Sequence, residues 1–164
     1  MNQIGLNISN TVLETPHVVV GAAIAVKVVN PALALPLAFA RHFVLEKIPH
    51  WNPHLNTETE KFGKPTANST KIVILDAIVG GTALLFIASR ALPDSGHALT
   101  IIASGLAATL PDMIEGPYFF LGLRSKLIKR WILFQKSIQE DTSIVPGILT
   151  QLVTLVAAFL WILG

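Results

Sequence analysis

The sequence predicts an all-α integral membrane bundle of about five short transmembrane segments, with one more helix lying on the bilayer surface. Three observations predict it. Of the 164 residues, 52% are apolar and 13% charged, where soluble chains run nearer a quarter charged. The mean hydropathy is +0.60. The apolar residues gather into five runs, at 16–29, 31–48, 72–89, 98–121 and 146–163. So few charges cannot cover a water-facing surface of this size, and the shortfall disappears where lipid is the solvent. By length the chain, 1–164, is one domain.

The first run opens at Pro16-His17 and stops at Asn30-Pro31. Its thirteen or so residues reach roughly 20 Å, short of the ~30 Å hydrocarbon core. The second begins on Pro31, where a missing N–H costs a helix nothing. Together they read as a membrane hairpin that is shallow or tilted. The polar stretch 52–70, with two Pro and one Gly, reads as a loop. The third, fourth and fifth runs are longer. Between the last two, Leu123, Leu127, Trp131, Phe134 and Ile138 recur at three- and four-residue spacing among basic residues. That pattern predicts an amphipathic helix over 123–138, lying at the inner headgroup surface. A weak repeat is also visible: His17-Val-Val-Val-Gly21 opens the first hairpin as Asp76-Ala-Ile-Val-Gly80 opens the second.

Basic residues orient the bundle. With the N-terminus in the cytoplasm and the runs alternating sides, ten of the twelve Lys and Arg fall inside, leaving Lys27 and Arg90 outside. This is a strong positive-inside bias. It places the chain in the cell membrane as a multi-pass protein, and it accounts for the net charge of +2 without nucleic acid as a partner. The expected partners are the lipid bilayer, anionic lipids among them, and a small or lipid-like substrate. The stretch 1–16 has no basic n-region and no small-residue cleavage site, so it does not read as a secretory signal. With no cysteine in the chain, neither a disulfide framework nor a thiolate metal site is available.

The polar residues inside these runs carry the chemistry. His17 starts the first run. His42, Glu46 and His50 follow at four-residue steps near the inner end of the second, a spacing that shares one helix face, although Pro49 turns the chain before His50. Asp76 lies about a turn into the third. Asp112 and Glu115 lie near the inner end of the fourth, beside Pro111, which would free the carbonyl of Ala107. Each has a bland alternative when taken singly: a helix start, an interfacial pair, a solvated end. Four segments delivering ionisable groups to one depth is harder to explain that way, because such groups are costly in a membrane and need a common partner. Imidazoles and carboxylates are ligands for zinc, manganese or iron, and this many of them suits one divalent ion or two. His17, His42, Asp76 and Asp112 are the expected ligands. Glu46, His50 and Glu115 are expected to act as acid or base, and Arg41 and Lys47 to hold a phosphate.

The segments TPHVVVGAAIA, RHFVLEKIPHWNPH and TLPDMIE resemble the YdjM-like predicted membrane-bound metal-dependent hydrolases, over roughly residues 15–120. The resemblance implies that His17, His42, Glu46, His50 and Asp112 belong to a metal site. In this chain Glu46 stands where an Asp is more usual, and Glu115 is the acid nearest after the Pro-Asp pair. The expected function is therefore a metal-dependent hydrolase acting on an ester or phosphoester of a lipid or amphiphile at the cytoplasmic face. The competing reading is a metal-ion or proton-coupled transporter, or a small membrane scaffold. The nearly pure Ala, Val, Leu and Ile of the outer helix halves disfavours transport.

Overall fold

The computed structural model describes residues 13–164, so the reading of 1–16 as no signal segment lies almost wholly outside the described residues. Among the described residues the chain is all-helical, with eight helices and no strand. They are α1 (Glu14–Lys27), α2 (Pro31–Leu45), α3 (Leu55–Phe62), α4 (Ala67–Ser89), α5 (Ser95–Met113), α6 (Gly116–Phe120), α7 (Lys126–Ile138) and α8 (Ile144–Leu163).

The short first helix is the centre of the bundle. Every residue of α1 from Thr15 to Ala25 is buried, and it packs on α2, α4, α5 and α8. A helix apolar all round belongs inside a bundle, and small residues let its neighbours come close. A Cβ on Gly21 would stand 2.7 Å from both Ala108 Cβ and the Ser104 carbonyl oxygen of α5. This is the small-residue packing expected of membrane helices. The N-terminus of α1 is capped from outside, because Leu13 offers no side-chain acceptor. The amides of Glu14 and Thr15 and the Thr15 hydroxyl donate instead to the carboxylate of Asp76 on α4.

Two helices, α4 and α8, are long and apolar enough to cross a membrane. In their most apolar stretches only 22% and 17% of residues are buried inside the protein, so Leu75, Leu85, Leu152 and Leu160 face outward. At about 1.5 Å per residue, α1, α2 and α5 reach roughly 21, 22 and 28 Å.

The structure corrects three boundaries. The polar stretch 52–70 is not all loop: it holds α3 and the start of α4. Gly63, at φ 78°, ends α3 in the left-handed conformation that glycine adopts freely. The Thr66 hydroxyl accepts from the Ser69 amide to start α4, and Glu58 accepts from the Thr66 amide at 2.7 Å. The run 98–121 is broken after Met113 into α5 and α6, since Pro117 cannot continue the i→i−4 ladder. The amphipathic helix starts at Lys126, where the Ser125 hydroxyl accepts from the Leu127 amide. It turns Ile132 and Gln135 inward, while Leu127 stays 76% exposed and Phe134 is also exposed.

Candidate metal centre

Three of the predicted residues converge. One ligand atom each from His17 of α1, His42 of α2 and Glu46, which caps α2, lie within 4.8 Å of one another. All three are almost fully buried. The two ring centroids lie 4.5 Å apart with their planes tilted by 43°. His17 Nε2 is 3.3 Å from Glu46 Oε1, yet Oε1 has no hydrogen-bond partner. Bonds of about 2.1 Å in a tetrahedral site put neighbouring ligand atoms roughly 3.4 Å apart. Two ligand atoms that are close, buried and unbonded to each other match that spacing, so the residues present fit a divalent cation.

His42 supplies a second test of fit. Its Nδ1 is 2.9 Å from the Ala108 carbonyl oxygen, which can only accept, so Nδ1 carries the proton. That leaves the Nε2 lone pair facing Gln135 Oε1 at 3.0 Å, acceptor against acceptor. Turning the amide over does not help. Its nitrogen now donates to Asp112 Oδ1 at 2.8 Å and to Glu115 Oε1 at 3.1 Å, and its oxygen would face those carboxylates instead. The mismatch disappears with a second proton on the ring or with a cation at Nε2.

Asp112 stands beside the triad. Its Oδ1 is 3.9 Å from His42 Nε2, and its Oδ2 is buried without a partner. Asp76 is placed differently, with its oxygens occupied by the first turn of α1. His50 also has both ring nitrogens engaged: Nδ1 donates to the Ile48 carbonyl at 2.6 Å, and Nε2 accepts from Gln139. Its backbone bridges to Asp141 in parallel, fastening the turn after α2 to the chain after α7. Glu115 is 3% exposed. Arg41 is half-buried, with Nη1 sealed from solvent and unpartnered, and Lys47 is exposed.

Two contributors escaped the sequence reading. Glu14 precedes His17 by three residues, one helical turn, and its carboxyl faces Asp112, Asp76 and Glu46. Gln135 sits on the inner edge of α7, three residues after Ile132. The i, i+3 spacing signals the first, and a lone Gln among inward-facing positions signals the second.

A cleft of about 330 Å³ opens beside the triad between α1, α4, α5 and α6. Its polar lining is Glu14, Asp76, Thr109, Asp112 and Glu115, and the rest is apolar or glycine, from Val18 and Val73 to Leu106 and Phe120. No family model, curated protein or solved structure matches the chain.

Proposed function

We propose that the chain is a membrane-embedded metal-dependent hydrolase of the YdjM-like type, acting on an ester or phosphoester of a lipid or amphiphile at the cytoplasmic face. The observation that carries the proposal is the buried His17–His42–Glu46 set, with ligand atoms within 4.8 Å of one another. Two helices able to cross a membrane, with their apolar faces turned outward, support residence in the bilayer. In this reading α1, α2 and α5 complete a five-span bundle, and the exposed Leu127 and Phe134 of α7 rest on the inner headgroup surface.

The cleft supports a lipid-like substrate, since its size falls at the lower end of the roughly 300–1,000 Å³ typical of ligand pockets and its walls are mostly apolar. A divalent ion held by His17, His42 and Glu46 would activate water and polarise the scissile group. The chain's own residues do the rest. Ala108 fixes the tautomer of His42 through Nδ1. Gln135 orients the carboxylates of Asp112 and Glu115, and Glu115, which lines the cleft, would take a proton from water. The unpartnered Nη1 of Arg41 supplies a donor for a phosphate. His50, with both ring nitrogens engaged, serves to position the Glu46 turn.

The test uses full-length protein in lipid nanodiscs, stripped with chelator, reloaded with zinc or manganese, and offered carboxylic-ester and phosphoester amphiphiles. Hydrolysis is expected only after reloading, and the His42→Ala, Glu46→Gln double variant should lose both activity and bound metal. Activity that survives chelation in wild type and persists in the double variant would sink the proposal.

A further inference from the structure

The triad accounts for only part of the buried acid. Glu14, Asp112 and Glu115 add three carboxyls beside Glu46, and among the described residues no Lys or Arg forms an ion pair with any of the four. One divalent ion at the triad leaves this charge largely uncompensated, and buried charge has to be neutralised by a proton, a partner or a metal.

The unpartnered oxygens have a definite location. Glu14 and Asp112 come close enough for their carboxyls to share a hydrogen bond. Apart from such a shared bond, Glu14 Oε2 and Asp112 Oδ2 are sealed from solvent and have no hydrogen-bond partner. The Asp112 side chain is only 9% exposed and lines the cleft together with Glu14. Its other oxygen is the one 3.9 Å from His42 Nε2. Asp112 therefore has one oxygen near the triad and a second left without a partner, the two a carboxylate needs to bridge two ions. Asp76 is not available to do this, because α1 has claimed its oxygens.

We propose that Glu14 and Asp112 hold a second divalent cation beside the His17–His42–Glu46 centre, with Asp112 bridging the two and Glu115 at the cleft side. The proposal rests on the metal-centre reading above and extends it from one ion to two. A pair of ions, the second at the cleft wall formed by Glu14 and Asp112, is the arrangement that clamps both the attacking and the leaving oxygen of a phosphoester, so it favours phosphoesters over carboxylic esters as the substrate class.

Manganese alone is the probe. Full-length protein in nanodiscs is stripped, equilibrated with Mn²⁺, and analysed for metal per chain by mass spectrometry and for spin coupling by electron paramagnetic resonance. Wild type is expected to hold two ions with an exchange-coupled signal. Glu14→Gln should hold one ion, with the uncoupled signal of isolated Mn²⁺. The wild-type measurement needs no variant, so a misfolded Glu14→Gln would not shelter the idea. A single uncoupled ion in wild type overturns the second site and leaves the metal centre standing, with a shared proton between Glu14 and Asp112 as the explanation. No ion at all overturns both.

Discussion

Helix α1 has two polar neighbourhoods at its N-terminal end, and they are built on opposite terms. Toward α4, Asp76 accepts from two amides and a hydroxyl of α1, and Gly80 brings the helices close enough that an added Cβ would lie 3.3 Å from Thr15 Oγ1. Toward α2 and α5, the atoms Glu14 Oε2, His17 Nδ1, Glu46 Oε1 and Asp112 Oδ2 are buried without partners. Nearly all buried polar atoms in proteins find a partner. Four orphans within one neighbourhood, set against a neighbouring seam where the polar groups are satisfied, separate the acid that holds the fold from the acids kept for a ligand.

The sharpest way to break this contrast is to exchange its terms. Asp76→Ala strips the acceptors from the start of α1, and each buried donor left unsatisfied costs about 1–3 kcal/mol. The expected outcome is a loss of about 3 kcal/mol in unfolding free energy in detergent, with manganese binding retained by the fraction that stays folded. Glu46→Gln should do the reverse. Replacing a buried carboxyl that has an unpartnered oxygen with a neutral amide of the same size should be neutral or stabilising in the metal-free protein, while the bound ion is lost. If Asp76→Ala instead lowered metal content without lowering stability, the seam would belong to the site.

How much of this was legible in the sequence follows from where each signal resides. The helical class and the five apolar runs rest on composition and local spacing, and four of the runs have a single helical counterpart within a few residues, while 98–121 is split into α5 and α6. His42 and Glu46 were legible for the same reason, since a four-residue step is local geometry. The division between structural and ligand-bearing acids was not. Asp76 and Asp112 look alike as single acids in apolar runs, and only the tertiary partner distinguishes them: α1's free amides for one, nothing for the other. His50 was drawn into the site by the same four-residue step, yet the turn at Pro49 takes it to the seam with Asp141. Helix α3 was missed because it is short and polar, held by Gly63 at its end and tied to α7 by Lys129 on Glu60 at 2.6 Å, a pairing that holds the Glu60 carboxyl below its usual range.

Gln135 tests the open side from farther out. It touches His42, Asp112 and Glu115 without belonging to the triad, so it is a positioning residue. Outer partners of this kind are worth about 10–100-fold in metal affinity, or roughly 1.4–2.7 kcal/mol. Gln135→Ala is expected to weaken manganese binding within that range while wild-type stoichiometry is recovered at saturating metal. Gln135→Glu, which keeps the length but replaces the donating amide with one more acceptor facing Asp112 and Glu115, should not recover affinity. An unchanged binding isotherm for Gln135→Ala would mean that the amide only fills space.

The finest test lies in two adjacent glycines of α4, one on each side of the contrast. Gly80 faces the closed seam, where an added Cβ meets Thr15 Oγ1 at 3.3 Å and Thr15 Cα at 3.4 Å; Gly81 lines the cleft, where an added Cβ meets nothing within 4 Å. Alanine at either position removes the entropy penalty of a mid-helix glycine, about 0.5–1 kcal/mol. At Gly81 that gain should appear in full as a higher melting temperature in detergent. At Gly80 the backbone of Thr15 has little room to give, because the Asp76 hydrogen bonds fix it, so the contact should cancel the gain or reverse it. Equal shifts from the two substitutions would mean that the seam yields as readily as the cleft, and the capping by Asp76 would then be looser than its hydrogen bonds imply.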